Sequence, residues 1–177
     1  LALMLANDAR APARQSAGGA MIPLETQDRS LWRHVQISQA DQILQATLTR
    51  GQIGLYQLQA AISALHGQAA TWGATDWPQI AMLYSLLCRV QPTPVVQLNH
   101  AVAVSYADSV KAGLHLMDAL ADPLADYSHF HAAKADFLAR DGQRKAARDC
   151  FQIAINLTGK AADRAFLQAK KQRLMLH

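Results

Sequence analysis

ADFLARDGQRKAARDCFQIAINL, residues 135–157, reads as two helices joined by a tight turn at Asp141-Gly142. Ala135 and Leu138 form an apolar stripe on the first helix. Ala147, Phe151, Ala154 and Ile155 form one on the second, at the three-and-four spacing of a helix face. The small Ala135 and Ala147 allow the two helices to approach closely. Phe151 is large enough to fill the space between this hairpin and the next.

Ala, Ala, Phe and Ala at these offsets resemble the tetratricopeptide repeat, a helical hairpin of about 34 residues. Counting back one such step from Phe151 reaches Met117, and a further step reaches Tyr84. All three are large residues on the stripe of a second helix. Ala101 and Gly113 fall at the small-residue positions of the middle unit. Repeat units are therefore predicted at about 95–126 and 128–161. A degenerate unit ends at Pro92, where the repeat places its closing proline; its first helix would contain Gly67 and Gly73, poor helix-interior residues.

The rest of the chain extends this pattern. LALMLA at the start is read as the tail of a helix that begins upstream, so a piece of a longer protein is expected. Asn7 to Pro23 is a loop or arm, with a short hairpin expected around Gly18-Gly19. Its apolar patch, Met21 to Leu24, is expected to pack on a helix. A helix capped by Asp28 or Ser30 is predicted to run to Leu48, with Trp32, Val35, Ala40, Ile43, Leu44 and Thr47 on one face and Gly51 as its stop. Leu55–Ala69 is the next helix, with Leu58, Ala61, Ile62 and Leu65 inward. Asp76, Pro78 and Gln79 begin another, whose stripe is Ile80, Leu83, Tyr84, Leu87 and Val90. No useful segment alternates with period two. The expected fold is all-α: a helical-hairpin array of about eight helices with an irregular N-terminal arm. Residues 1–26 are helix tail and arm, and 27–177 the helical domain.

Composition excludes more than it assigns. A net charge of +4 is a mild basic excess and only weak support for a nucleic-acid partner. Hydrophobic residues make up 51% of the chain, yet no apolar run reaches the roughly 18 residues of a membrane span. Cys88 and Cys150 each sit on an apolar stripe and read as reduced core residues of a cytoplasmic protein. His129 and His131 are two apart and point to different faces of a helix. No HExxH, CxxC, GxSxG, P-loop or GxGxxG occurs. No metal, no cofactor and no enzymatic activity are expected.

Five blocks carry a more specific likeness: MLANDARAPAR (Met4–Arg14), PLETQDRSLW (Pro23–Trp32), YQLQAAISALH (Tyr56–His66), TDWPQIAMLY (Thr75–Tyr84) and PVVQLNHAVAV (Pro94–Val104). In this order they closely resemble the C-terminal extension of a group of bacterial extracytoplasmic-function RNA polymerase sigma factors. In that group a tetratricopeptide-like extension follows the promoter- and polymerase-binding domains. The resemblance covers essentially the whole chain. It departs at Asn7, where the family would have a histidine, and no sigma domain is found in this stretch. The resemblance implies a regulatory, protein-binding module of transcription initiation. Its partners would be its own sigma domains, RNA polymerase or a regulator, and promoter DNA would be met only through the absent domains. A stand-alone tetratricopeptide scaffold and a helical nucleic-acid-binding domain are the competing readings.

Two constellations are candidate sites. Asp8, Arg10, Arg14, Glu25, Asp28, Arg29 and Trp32 flank the arm; they are read either as a partner contact or as a polar network pinning the arm, with Asp28 and Arg29 expected to bind residues 7–14. The repeat register puts Val95, Leu98, Val102 and Ser105 on one stretch of a concave face, and His129, Ala132, Asp136 and Ala139 on the next, with Arg140 beside them. The apolar set is expected to be covered by the Leu55–Ala69 helix, and the mixed set to stay open to a partner. Lys160, Arg164, Lys170, Lys171 and Arg173 make the last helix basic, as phosphate contacts or as the solvated face of a terminal repeat.

Overall fold

The computed structural model describes residues 1–15, 21–48 and 53–175. Among these the chain is all-α. Nine α-helices follow in order: α1 Ala2–Asp8, α2 His34–Leu48, α3 Leu55–Gln68, α4 Trp77–Val90, α5 Pro94–Ala107, α6 Val110–Asp118, α7 Ser128–Arg140, α8 Arg144–Leu157 and α9 Ala161–Arg173. Three short 3-10 turns, Ala11–Ala13, Leu24–Thr26 and Arg29–Leu31, carry the arm. The chain parts into two compact units, Leu1–Pro92 and Thr93–His177. The division falls at this proline-flanked joint and not at residue 26, because the arm is part of a core. Ala9 and Ala13 are buried in one cluster with Trp32 and Ile37.

In the first unit, α3 packs against α1, α2 and α4. It buries Leu58, Ala60, Ile62 and Ala64. The face expected to cover Val95, Leu98 and Val102 is thus buried within its own unit. The helix predicted from Asp28 or Ser30 starts later, at His34. Asp28 caps the preceding 3-10 turn, its carboxylate accepting from the Ser30 amide. Trp32 follows in extended backbone and is buried. With the start displaced, the buried face is Ile37, Ala40 and Leu44, and Val35 is 76% exposed. The predicted cap of α4 is present: the Asp76 carboxylate accepts from the Gln79 amide at 3.0 Å. Ile80 and Leu87 are buried, Leu83 and Tyr84 half-buried, and Val90 is exposed in the last turn. On the arm, Gln15 and Met21 form an antiparallel bridge. The Gly18-Gly19 hairpin and the stop at Gly51 lie outside the described residues. Met21 is exposed; Leu24 is the patch residue that packs on the Trp32 cluster.

The second unit is built of the hairpins α5/α6 and α7/α8, with α9 packed on α8. Leu98, Ala101, Met117, Leu120, Leu124, Phe130 and Phe137 form one buried cluster, and Val102 packs against it. Leu98 and Val102 therefore find their cover in α6 and α7. A second cluster joins Ala135, Phe151, Ala154, Ile155 and Leu167. Ala147 is fully buried as well. The turn between α7 and α8 is a Schellman motif. The Gln143 amide donates to the Leu138 carbonyl at 2.8 Å and the Gly142 amide to Ala139 at 3.1 Å. Gly142 has φ of 82°, a conformation that glycine adopts without penalty.

Gly113 permits the closest approach in this unit. A Cβ there would lie 2.7 Å from Ser105 Cβ, 2.8 Å from Phe137 Cε2 and 3.0 Å from the Ala101 carbonyl oxygen. Backbone and ring must move to admit even a methyl group. Gly113→Ala is expected to cost about 1–3 kcal/mol, the usual range for overpacking. Urea denaturation measures it, and a loss below about 0.5 kcal/mol would mean that α6 has room it does not have here.

Candidate functional site

The arm residues do not form one network. They divide between several local bonds. Arg10 Nη2 donates to Asn7 Oδ1 at 2.7 Å. Arg14 Nη2 donates to the Asn7 carbonyl at 2.8 Å. The side-chain amide at position 7, in place of the histidine the resemblance implies, thus serves Arg10, while the bond to Arg14 uses the backbone carbonyl that any residue there would supply. Asp8 turns away to α2, accepting from Arg33 Nη1 at 2.6 Å and from Gln36 Nε2 at 2.9 Å. Glu25 is exposed on its 3-10 turn.

Asp28 and Arg29 do not bind residues 7–14 as expected. Asp28 is used up by its own turn, accepting from the Ser30 amide and hydroxyl, and these bonds lower its pKa. Arg29 reaches the C-terminal end of α3. Its Nη1 donates to the His66 carbonyl at 2.7 Å and to the Ala69 carbonyl at 2.6 Å. A helix C-terminus leaves carbonyls without intrahelical partners and carries partial negative charge, so a cation is favoured there. The Arg29 guanidinium also lies 4.7 Å above the Trp32 ring. The long-range attraction of the α3 end outweighs the shorter reach to the arm.

Around Arg29 lies a group that no sequence motif announced. His66 makes edge contact with Trp77, ring centroids 5.3 Å apart, and Trp72 and Trp77 meet at 4.7 Å. Burial, helped by Arg10 and Arg29, holds the His66 imidazole down at about 4. Burial, then Arg14 and Arg29, draw the Arg10 guanidinium down to about 10. Burial also lowers Arg29 and raises the Tyr84 phenol. Arg10 Nε, Arg29 Nη2, Trp32 Nε1 and His66 Nδ1 are all buried without a hydrogen-bond partner. The only hint in the sequence is density: one histidine and two tryptophans within a dozen positions, at the end of one helix and the start of the next.

On α7 the predicted groove residues face different neighbours. His129 is exposed, its ring 5.1 Å from that of Tyr127. Ala132 packs on the Phe151 cluster. Asp136 pairs with Lys170 of α9 at 2.6 Å. Arg140 turns toward α5, donating to the Ser105 carbonyl at 2.8 Å and lying 4.2 Å above the Tyr106 ring. Asp136 and Arg140 thus fasten α7 to α9 and to α5. Two further cations of α9 are engaged within the chain, Arg164 donating to the Thr158 carbonyl and Lys171 to Gln152, whereas Arg173 is exposed. Of the repeat positions, Ala101, Gly113, Met117, Ala135, Ala147, Phe151 and Ala154 are buried, and Tyr84 is half-buried.

Among the described residues no group of three His, Cys, Asp or Glu could hold a metal. Cys88 and Cys150 are free and half-buried, and burial raises both thiols. No described helix is long and apolar enough to cross a membrane.

A family model described as "Family of unknown function (DUF6596)" matches residues 1–48, the stretch holding α1, the arm and α2. An uncharacterized protein of Rhizobium meliloti (strain 1021) is 39% identical over 173 residues, covering 98% of this chain and 41% of that protein. The chain thus spans less than half the length of this relative. No solved structure matches this chain.

Proposed function

We propose that this chain is the helical C-terminal regulatory module of a bacterial extracytoplasmic-function RNA polymerase sigma factor. It acts in transcription initiation by binding protein, namely its own sigma domains, the polymerase or a regulator. It works in the cytoplasm, without metal or cofactor, and catalyses no reaction. The observation that carries this reading is the hairpin packing of the second unit, where Ala135, Ala147, Phe151 and Ala154 are all buried. Beside it stand the five ordered blocks of sequence. Two of them, Met4–Arg14 and Pro23–Trp32, lie inside the family match. That the relative extends well beyond the matched stretch leaves length for sigma domains. Binding of nucleic acid by this module is less favoured, because Arg164, Lys170 and Lys171 are committed within the chain.

The test uses the Rhizobium relative in run-off transcription with core polymerase. The full-length protein is expected to initiate at a cognate promoter, and deletion of the matching stretch to lower output at least tenfold. The 177-residue chain alone should initiate nothing. A full-length relative without polymerase-dependent initiation, or a deletion without effect, overturns the proposal.

A further inference from the structure

We propose that the first unit pairs with a second copy of this chain through an apolar face along α3. Two grooves lie on that face. One, of about 520 Å³, opens where α1 and α3 begin and α2 ends, and Met4 and Tyr56 stand at it. The other, of about 370 Å³, follows α3 between α2 and α4, with Ile53, Leu65 and Met82 among its walls. Leu44 and Gln57 line both, so the grooves adjoin. Met4, Ile53, Tyr56 and Met82 are each more than half exposed. Single exposed apolar side chains are ordinary, but a contiguous set of this size marks a surface that a partner covers. The character of α4 agrees. Its only charged residue is Arg89, and a helix apolar on nearly all sides belongs in a core. Met82, in the middle of that helix, is nonetheless 53% exposed.

Charge and shape single out a second copy as the occupant. A two-fold dimer lays a patch on its own image, so a net charge on the patch would repel itself. Among the described lining residues Asp41 is the only charged side chain, and Gln68 donates to its carboxylate at 3.1 Å. An acidic or phosphorylated partner would find no cationic side chain here, and a basic one only that engaged carboxylate. Gln45 and Gln79, exposed at the rim, each carry a donor and an acceptor, so each can bond its own kind across a two-fold axis. One face holds both the projecting side chains and the grooves that would receive them, as a self-complementary contact requires. The exposed side chains and groove walls offer on the order of 800 Å² per copy, the size of a standard interface.

The test is sedimentation velocity of the 177-residue chain over a range of concentrations. The mass is expected to rise from 19.3 kDa toward twice that value. Half-conversion is expected between about 1 and 100 µM, the weak end for an interface of this size. Met82→Glu sets a charge against its own image and should raise the dimer Kd by about tenfold or more. Tyr56→Glu should do the same, and it decides alone if circular dichroism shows the first variant unfolded. Ile153→Glu, at an exposed position of α8 in the second unit, should leave association unchanged. A chain that stays monomeric to about 100 µM overturns the proposal. So does a dimer that the first-unit variants leave intact, and so does one that dissociates in salt, since charge would then hold it.

Discussion

Phe151→Ala is expected to destabilise the second unit by about 3–5 kcal/mol, the range for truncating a core aromatic. Phe151 is 1% exposed and sits at the centre of a cluster with Ala135, Ala154, Ile155 and Leu167. These neighbours come from α7, α8 and α9, so three helices lose their common filler at once. Alanine at 135 and 154 cannot swing in to close the space, because neither has atoms beyond Cβ. The cavity would stay open, and the cost of an unfilled cavity adds to that of lost burial. Urea denaturation followed by circular dichroism measures the change in the transition of this unit. Arg173→Ala, exposed at the end of α9, serves as the control, with an expected change below about 0.5 kcal/mol. Equal, small effects for both would mean that the hairpin is not packed through Phe151.

Acid is expected to weaken the first unit through His66. The imidazole has a pKa of 6.5 when free and about 4 in the folded chain. Between these values the unfolded chain binds a proton that the folded chain does not. The stability contributed by neutral His66 is therefore complete above about pH 6.5 and is lost as pH falls toward 4. At about 1.4 kcal/mol per unit of pKa, the loss at pH 4.5 is about 2–3 kcal/mol. Carboxylates titrate in part of the same range, so His66→Gln provides the comparison. Between pH 7.5 and 4.5 the unaltered chain should lose about 2–3 kcal/mol more than the variant. The same pH dependence in both would show that His66 is exposed enough to take up its proton without opening the fold.

Much of the helical order was legible because each helix carries a periodic stripe and most carry punctuation. Asp76 with Gln79, Gly142 after Arg140 and the prolines at 92 and 94 mark ends that need no tertiary information. The hairpin at 135–157 was legible for the same reason. Positions such as Ala147 and Phe151 are small or large where one helix must approach or fill another. What escaped depends on contacts distant in sequence. The late start of α2 follows from Trp32, which is buried from extended backbone and so mimics the first residue of a helical face. Closeness in sequence points Arg29 to the arm. The α3 carbonyls it binds lie 37 and 40 positions away. His66 had no pattern at all, since a lone histidine at a helix end acquires its character only from what folds over it. Asp136 and Arg140 are alike in this respect: their partners, Lys170 and Ser105, stand 34 and 35 positions off on opposite sides in the chain.

The most direct test of the proposed role is binding by the 177-residue chain itself. Biolayer interferometry would present it to core RNA polymerase, to the sigma domains of an extracytoplasmic-function factor carrying this extension, and to a promoter duplex, each at low and moderate salt. Saturable binding to the polymerase or the sigma domains, with none to the duplex, is the predicted result. Binding to the duplex alone, falling steeply with salt, or binding to none of the three, would contradict the account.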